Sequence, residues 1–216
     1  MKTLARVACT LTLVASSLAA QQRPRGTVFA DGAIVRFGEV SGTPAGSFSG
    51  PTFGVEGGVS LGSLRLGAGY LEGRVQPSTG SSDSVAKDLV EARAFVGAQP
   101  WPWLRLTVGP HVRAFVWTNG VTERWVLWPL RARAQTALAS TPLETYVELW
   151  RALSAKVNLP EAVDHVQGGE AGVVLRPRGS ALWMRLGYRV DGAQLGGGSR
   201  SESVEAVSFA VGIGPR

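Results

Sequence analysis

Cysteine is nearly absent from this chain, and histidine and lysine are scarce. Each shortage removes a class of function. The single cysteine is Cys9, and the two histidines, His111 and His165, lie far apart. No cysteine–histidine metal cluster can be assembled from that set. A lone cysteine also rules out an internal disulfide framework. The lysines are Lys2, Lys87 and Lys156, so the 22 basic residues are overwhelmingly arginine. These arginines are scattered singly rather than clustered, which argues against a nucleic-acid interface despite the pI near 10.2. Missing too is any apolar run of the roughly 20 residues that a membrane-crossing helix needs. Beyond the N-terminus no window carries a helical period.

What is present begins with a leader pattern. Lys2 and Arg6 give a positive start, an apolar run follows from Val7 to Leu18, and Ser17-Leu18-Ala19 places small residues at the −3 and −1 positions. This predicts a secretory signal over 1–19, then a short segment over 20–26 on the periplasmic side. Cys9 falls inside the leader and lacks the Leu-x-x-Cys context of a lipid attachment site. Cleavage would remove two basic residues and no acid, lowering the formal net charge from +6 to +4. It would also leave no cysteine, so an exported chain must find stability elsewhere. A sheet closed on itself, with no free edge, is one source.

From residue 27 to 216 the pattern is alternation with period two, broken by Gly, Ser, Pro and Asn clusters. Ten strands are predicted, near 27–37, 52–61, 64–75, 87–98, 104–118, 123–138, 143–156, 168–176, 181–190 and 204–214, with eight as the alternative count. Short connections, such as Gly62-Ser63, alternate with long ones at 38–51, 76–86, 157–167 and 191–203. Asn119-Gly120 marks a tight hairpin. Pro110 and Pro129 fall within strands and require a bulge or an interruption. Asp31 and Arg151 land on the apolar parity, which requires a bulge or an interfacial position.

The opposite parity is polar and small. Leu182, Met184, Leu186, Tyr188 and Val190 oppose Trp183, Arg185, Gly187 and Arg189. Small residues mixed with a few long charged ones suit a narrow lumen, whereas a wet exterior has no such size limit. The expected lumen set is Glu56, Arg65, Glu91, Arg93, Arg105, Arg113, Arg131, Arg133, Glu144, Glu148, Glu170, Arg185 and Arg189. Arginine suits such enclosed ion pairs because its planar fork binds carboxylates bidentately. His111 falls on the same parity and reads as a hydrogen-bonding residue of the lumen. Trp101, Trp103, Trp117, Trp125 and Trp128 gather near strand ends, where indoles prefer a membrane interface.

Leader, paired strands, unequal connections and aromatics at strand ends together resemble the small outer-membrane β-barrel proteins of the OmpA-like and OmpX-like class. The resemblance implies an all-β, up-and-down antiparallel transmembrane barrel in the cell envelope of a Gram-negative bacterium. It implies outer-membrane lipid as a partner, no cofactor, and a structural, adhesive or surface-contact role through the four long connections. Two other readings stay open. One is a barrel-borne hydrolase using Asp83 with Asp164 and His165, since a histidine beside a carboxylate can serve as a general base. The ten-stranded omptin proteases carry an Asp-x-His pair on an outer loop; here Asp164 and His165 are adjacent. The other is a soluble periplasmic barrel binding an apolar ligand, which would point Leu186 inward and Arg185 outward. The oligomeric state is not written in the sequence.

Overall fold

The computed structural model describes residues 24–40, 46–79, 81, 85–117 and 120–214. The leader and the first part of segment 20–26 lie outside them, as do Asp83 and Asn119. Eleven strands follow one another: β1 (Arg25–Val40), β2 (Gly46–Leu61), β3 (Leu64–Pro77), β4 (Lys87–Trp101), β5 (Leu104–Val108), β6 (His111–Trp117), β7 (Thr122–Ala137), β8 (Leu143–Val157), β9 (Val163–Leu175), β10 (Leu182–Leu195) and β11 (Arg200–Ile213). Neighbouring strands pair antiparallel around the barrel, β5 and β6 both lying between β4 and β7, and β1 pairs β11, so the sheet closes. Gly196–Gly198 forms one short 3₁₀ turn.

β5 and β6 are two halves of a single stave, which makes the closed barrel ten-stranded. Pro110 interrupts the hydrogen bonding between them without disturbing the register. Val108 faces Leu130 and His111 faces Leu127, in continuous step along β7. The Pro110 carbonyl still accepts from Ala94 N–H at 3.0 Å. Pro129 sits at a register shift between β7 and β8, where the extra residue absorbs the missing donor.

The strands also tilt. A path across the ladders from Gly26 runs through Val59, Leu66, Val96, Val108, Leu130, Arg151, Gln167, Gly192 and Ser203. It returns to β1 at Gly38, a shear of twelve residues. Ten strands with such a stagger lean at roughly 35–45° to the barrel axis. The lower end holds the start of β1 and the finish of β11; the upper end holds the opposite rim.

The connections differ from expectation. The described parts of 38–51, 157–167 and 191–203 are mostly strand, with upper turns at stretches such as 158–162 and 196–199, whereas 76–86 keeps only Gln76 and Pro77 in β3. Alternation in those stretches was hidden by Gly, Ser and polar side chains on the outward face, above the apolar belt. Lower turns are of similar size, from two residues at Gly62-Ser63 to six at 176–181. In the first of these Gly62 has φ 61°, a left-handed value open to glycine at no steric cost.

Outward side chains form an apolar belt. It includes Ile34, Phe53 at 67% exposure, Leu66, Leu149, Leu186, Phe209 and Ile213. The belt is four or five outward residues deep on most strands, about 25 Å at that tilt. Above it the exterior turns polar at Arg36, Glu72, Asp88, Arg124, Arg151 and Glu205. Arg151 does face outward, at this upper border. Asp31 needs no bulge, because β1 turns Phe29, Asp31, Ala33, Val35 and Phe37 inward together.

That inward apolar run belongs to a second pattern. In the upper part of the barrel the interior is hydrophobic, with Val35, Phe37, Phe48, Val75, Leu89, Phe115 and Val204 in one cluster. Phe37 stacks on Phe115 with ring centroids 4.1 Å apart and is fully buried. A Phe37→Ala substitution is expected to cost about 3–5 kcal/mol through lost transfer energy and the cavity left behind. Denaturant titration of the refolded barrel measures it.

Candidate functional site in the barrel lumen

Alternation along each tilted strand sends every second side chain into the lumen. The thirteen charged residues singled out above all take inward positions, and they fall into layers. Small inward residues make room for them. A Cβ on Gly187 would lie 2.5 Å from the Tyr146 hydroxyl, and one on Gly212 would lie 2.3 Å from the Trp183 ring.

The central layer is a closed ring of ions. Arg113 Nε donates to Glu91 Oε1 at 2.6 Å, and its Nη2 donates to Asp191 Oδ2 at 2.5 Å. Arg189 completes the ring, donating Nη2 to Glu91 Oε1 and Nε to Asp191 Oδ2, each at 2.8 Å. Trp150 Nε1 donates to the other oxygen of Asp191 at 3.0 Å. His111 lies 3.4 Å from Glu91 through Nε2, while its Nδ1 meets Arg131 Nη2 at 3.3 Å. A guanidinium can only donate, so Nδ1 accepts and the ring proton sits on Nε2, facing Glu91. Glu91, Arg113, His111 and Asp191 are all buried. Two acids and two guanidinia balance within the ring, which is what burial of charge requires.

Below this ring lie further pairs. Arg93 binds Glu56, Arg131 reaches Glu148 at 3.2 Å, and Arg133 lies 3.9 Å from the same carboxylate. Arg185 is 3.9 Å from Glu170, whose other contact is the Tyr146 hydroxyl. Aromatic faces share the work: Arg133 stacks over Tyr146 at 3.7 Å and Arg185 over Phe29 at 4.9 Å. The cavities left among these groups hold only about 60 and 70 Å³. Further down, Arg65 and Arg105 line a larger cavity of about 490 Å³ that opens at the lower mouth, where Glu144 pairs with Arg176 at 3.2 Å.

Above the ring the hydrophobic layer carries its own charges. Arg200 gathers Glu39 at 3.2 Å, Glu123 at 2.9 Å and Glu202 at 2.8 Å. Lys87 is fully buried, 3.7 Å from Glu39, with its ammonium over the Phe48 ring at 3.9 Å and the Trp117 ring at 4.4 Å. Asp191, Arg200 and Glu202 escaped the sequence reading because their stretch was taken for a loop. Parity would have found Asp191, which continues the Arg185, Gly187, Arg189 face.

The aromatic set divides. Trp101, Trp103 and Trp128 are exposed on the exterior, the first two stacked at 5.8 Å at the lower border. Trp125 and Trp117 correct the expectation: both turn inward. Trp125 is buried with Leu127 and Val166, and its Nε1 donates to Glu123 at 2.8 Å. The upper exterior border instead carries Tyr70 and Tyr188, whose hydroxyls donate to Glu72 at 2.7 Å and Glu205 at 3.4 Å.

The hydrolase reading loses its geometry. Asp164 and His165 are consecutive in β9, so they point to opposite faces. Asp164 accepts from Gly198 N–H at 3.2 Å, while His165 pairs across the ladder with Gln194. The apolar-ligand reading fails on direction, since Arg185 is inward and Leu186 is 52% exposed. Among the described residues no group of three metal-ligating side chains converges.

No protein-family model matches the chain, and no curated protein matches it in sequence. Solved structures resemble it in fold. The translocator domain of the autotransporter NalP from Neisseria meningitidis is 12% identical, with 98% of this chain and 97% of that one covered and a TM-score of 0.48. Neisserial surface protein A is 14% identical over 87% of this chain and 96% of its own, with a TM-score of 0.38. Ail, the attachment invasion locus protein of Yersinia pestis, is 10% identical over 88% and 99%, with a TM-score of 0.32. These are small outer-membrane β-barrels. At such identities the likeness concerns the fold and carries no residue roles across.

Proposed function

We propose that the chain is a non-enzymatic, non-conducting outer-membrane barrel with a structural or surface-contact role. The observation that carries this reading is the inverted polarity of the belt region. Leu186 and Phe209 are exposed outside while Arg113, Glu91 and Asp191 are buried inside. Water would penalise such an exterior, whereas lipid favours it. The start of β1 and the finish of β11 then lie on the periplasmic side, and the upper rim faces outward. The ring of Glu91, Arg113, Arg189 and Asp191 fills the midpoint of the lumen, so ions have no open path.

The surface available for contact is largely strand-built, apart from the segment between β3 and β4. It consists of the upper strand ends with their turns, including 158–162 and 196–199. Purified barrel reconstituted into planar lipid bilayers is expected to raise no stepwise conductance above the bare membrane. Steady single-channel openings would overturn the plug. Recovery of the protein in the soluble periplasmic fraction without detergent would overturn the membrane placement.

A further inference from the structure

The cavity at the lower mouth holds more positive charge than its own carboxylates can satisfy. Arg65 and Arg105 line it without an ion pair among the described residues, beside Arg133 and Arg185, whose acids stand off at 3.9 Å. Arg105 and Arg133 are direct cross-strand partners on β5 and β7. Like charges set opposite one another destabilise a sheet unless something lies between them. Four residues lining this cavity each carry a buried donor without a hydrogen-bond partner: Arg65 Nε, Arg133 Nε, Arg185 Nε and Trp183 Nε1. The three arginines also border the cavity of about 70 Å³ above it. Buried donors left unmade are costly, and here every one is of the kind an anion satisfies.

We infer that this cavity binds a small soluble phosphate ester entering from the periplasmic side, an inference that rests on the outer-membrane reading only for the side of entry. The donors arrive from β3, β5, β7 and β10, that is, from around the lumen rather than from one wall. A tetrahedral phosphate offers acceptor oxygens in all those directions; a carboxylate offers them in one plane. The volume of about 490 Å³ leaves room beyond the phosphate, and Trp183 and Phe29 provide an aromatic wall for an organic group. The closed β-wall shuts the cavity off sideways, so a lipid headgroup still anchored in the bilayer cannot reach it.

The test is isothermal titration calorimetry of the folded barrel in zwitterionic detergent at low salt, with phenyl phosphate as the probe. Saturable one-to-one binding is expected. Arg105→Gln and Arg65→Gln are each expected to weaken it at least tenfold, and Arg36→Gln, on the exterior, is expected to leave it unchanged. Arg105→Gln removes a charge that has no acid partner and relieves Arg133, so its unfolding midpoint should not fall; Arg65→Gln is the second variant. Equal binding by wild type and both lumen variants, or no saturable heat, would overturn the inference. So would binding of short-chain phosphatidic acid with no response to phenyl phosphate. Because the calorimetry reads the barrel in micelles, failure of the membrane placement shows only in fractionation, and failure of the site shows only in the heats.

Discussion

Replacement of Arg113 by alanine is expected to cost about 3–5 kcal/mol of folding stability. Arg113 bridges Glu91 and Asp191, and both carboxylates stay buried when it is removed. Arg189 would then have to balance two acids alone. The loss is therefore dominated by uncompensated charge rather than by the bridge itself. Urea titration followed by tryptophan fluorescence in lipid vesicles measures it. Arg178→Ala, at the exposed lower mouth, serves as the control and should shift stability by about 0.5 kcal/mol or less. A cost below about 1 kcal/mol for Arg113→Ala would mean that water reaches the ring, and the plug would have to be abandoned.

On the outside, Leu186→Arg is expected to cost about 2–4 kcal/mol in a bilayer. Leu186 lies at the middle of the belt, with Val173 and Phe209 beside it on the neighbouring strands. A guanidinium there has no water and no acid within reach. In a soluble barrel the same exposed position would accept arginine within about 0.5 kcal/mol. Folding titrations of the variant in vesicles thus separate a lipid-facing wall from a wet one. A neutral result would return the soluble reading to consideration.

Much of this architecture was legible in the chain. Parity alone placed Arg185 against Leu186 and Glu91 against Val90, and it gave ten staves with Pro110 and Pro129 as the irregular points. What parity could not give was the change of sign along a strand. β1 carries Phe29, Val35 and Phe37 inward, on the same face as Asp31, so one strand mixes a charged lumen with an apolar one. Read as a single face, Asp31 looked misplaced. Trp125 and Trp117 misled for the same reason: in the upper barrel a buried indole and an interfacial one share the same strand-end address. The upper strand ends were missed because Ser, Gly and Gln facing water leave no apolar beat. Arg200 with its three acids was hidden there too. That cluster depends on β1, β7 and β11 meeting across the lumen, a contact no local pattern encodes.

The polar border of the exterior has a mechanical consequence. Arg36, Glu72, Asp88, Arg124, Arg151 and Glu205 encircle the wall just above the apolar belt. Sinking the barrel by one outward position per strand would submerge the whole circle at once. Raising it by the same step would strip lipid from the lower row that ends at Leu182 and Ile213. The molecule therefore carries its own waterline. Its height in the bilayer is set from both sides, and the collar above that line stands clear at a fixed reach.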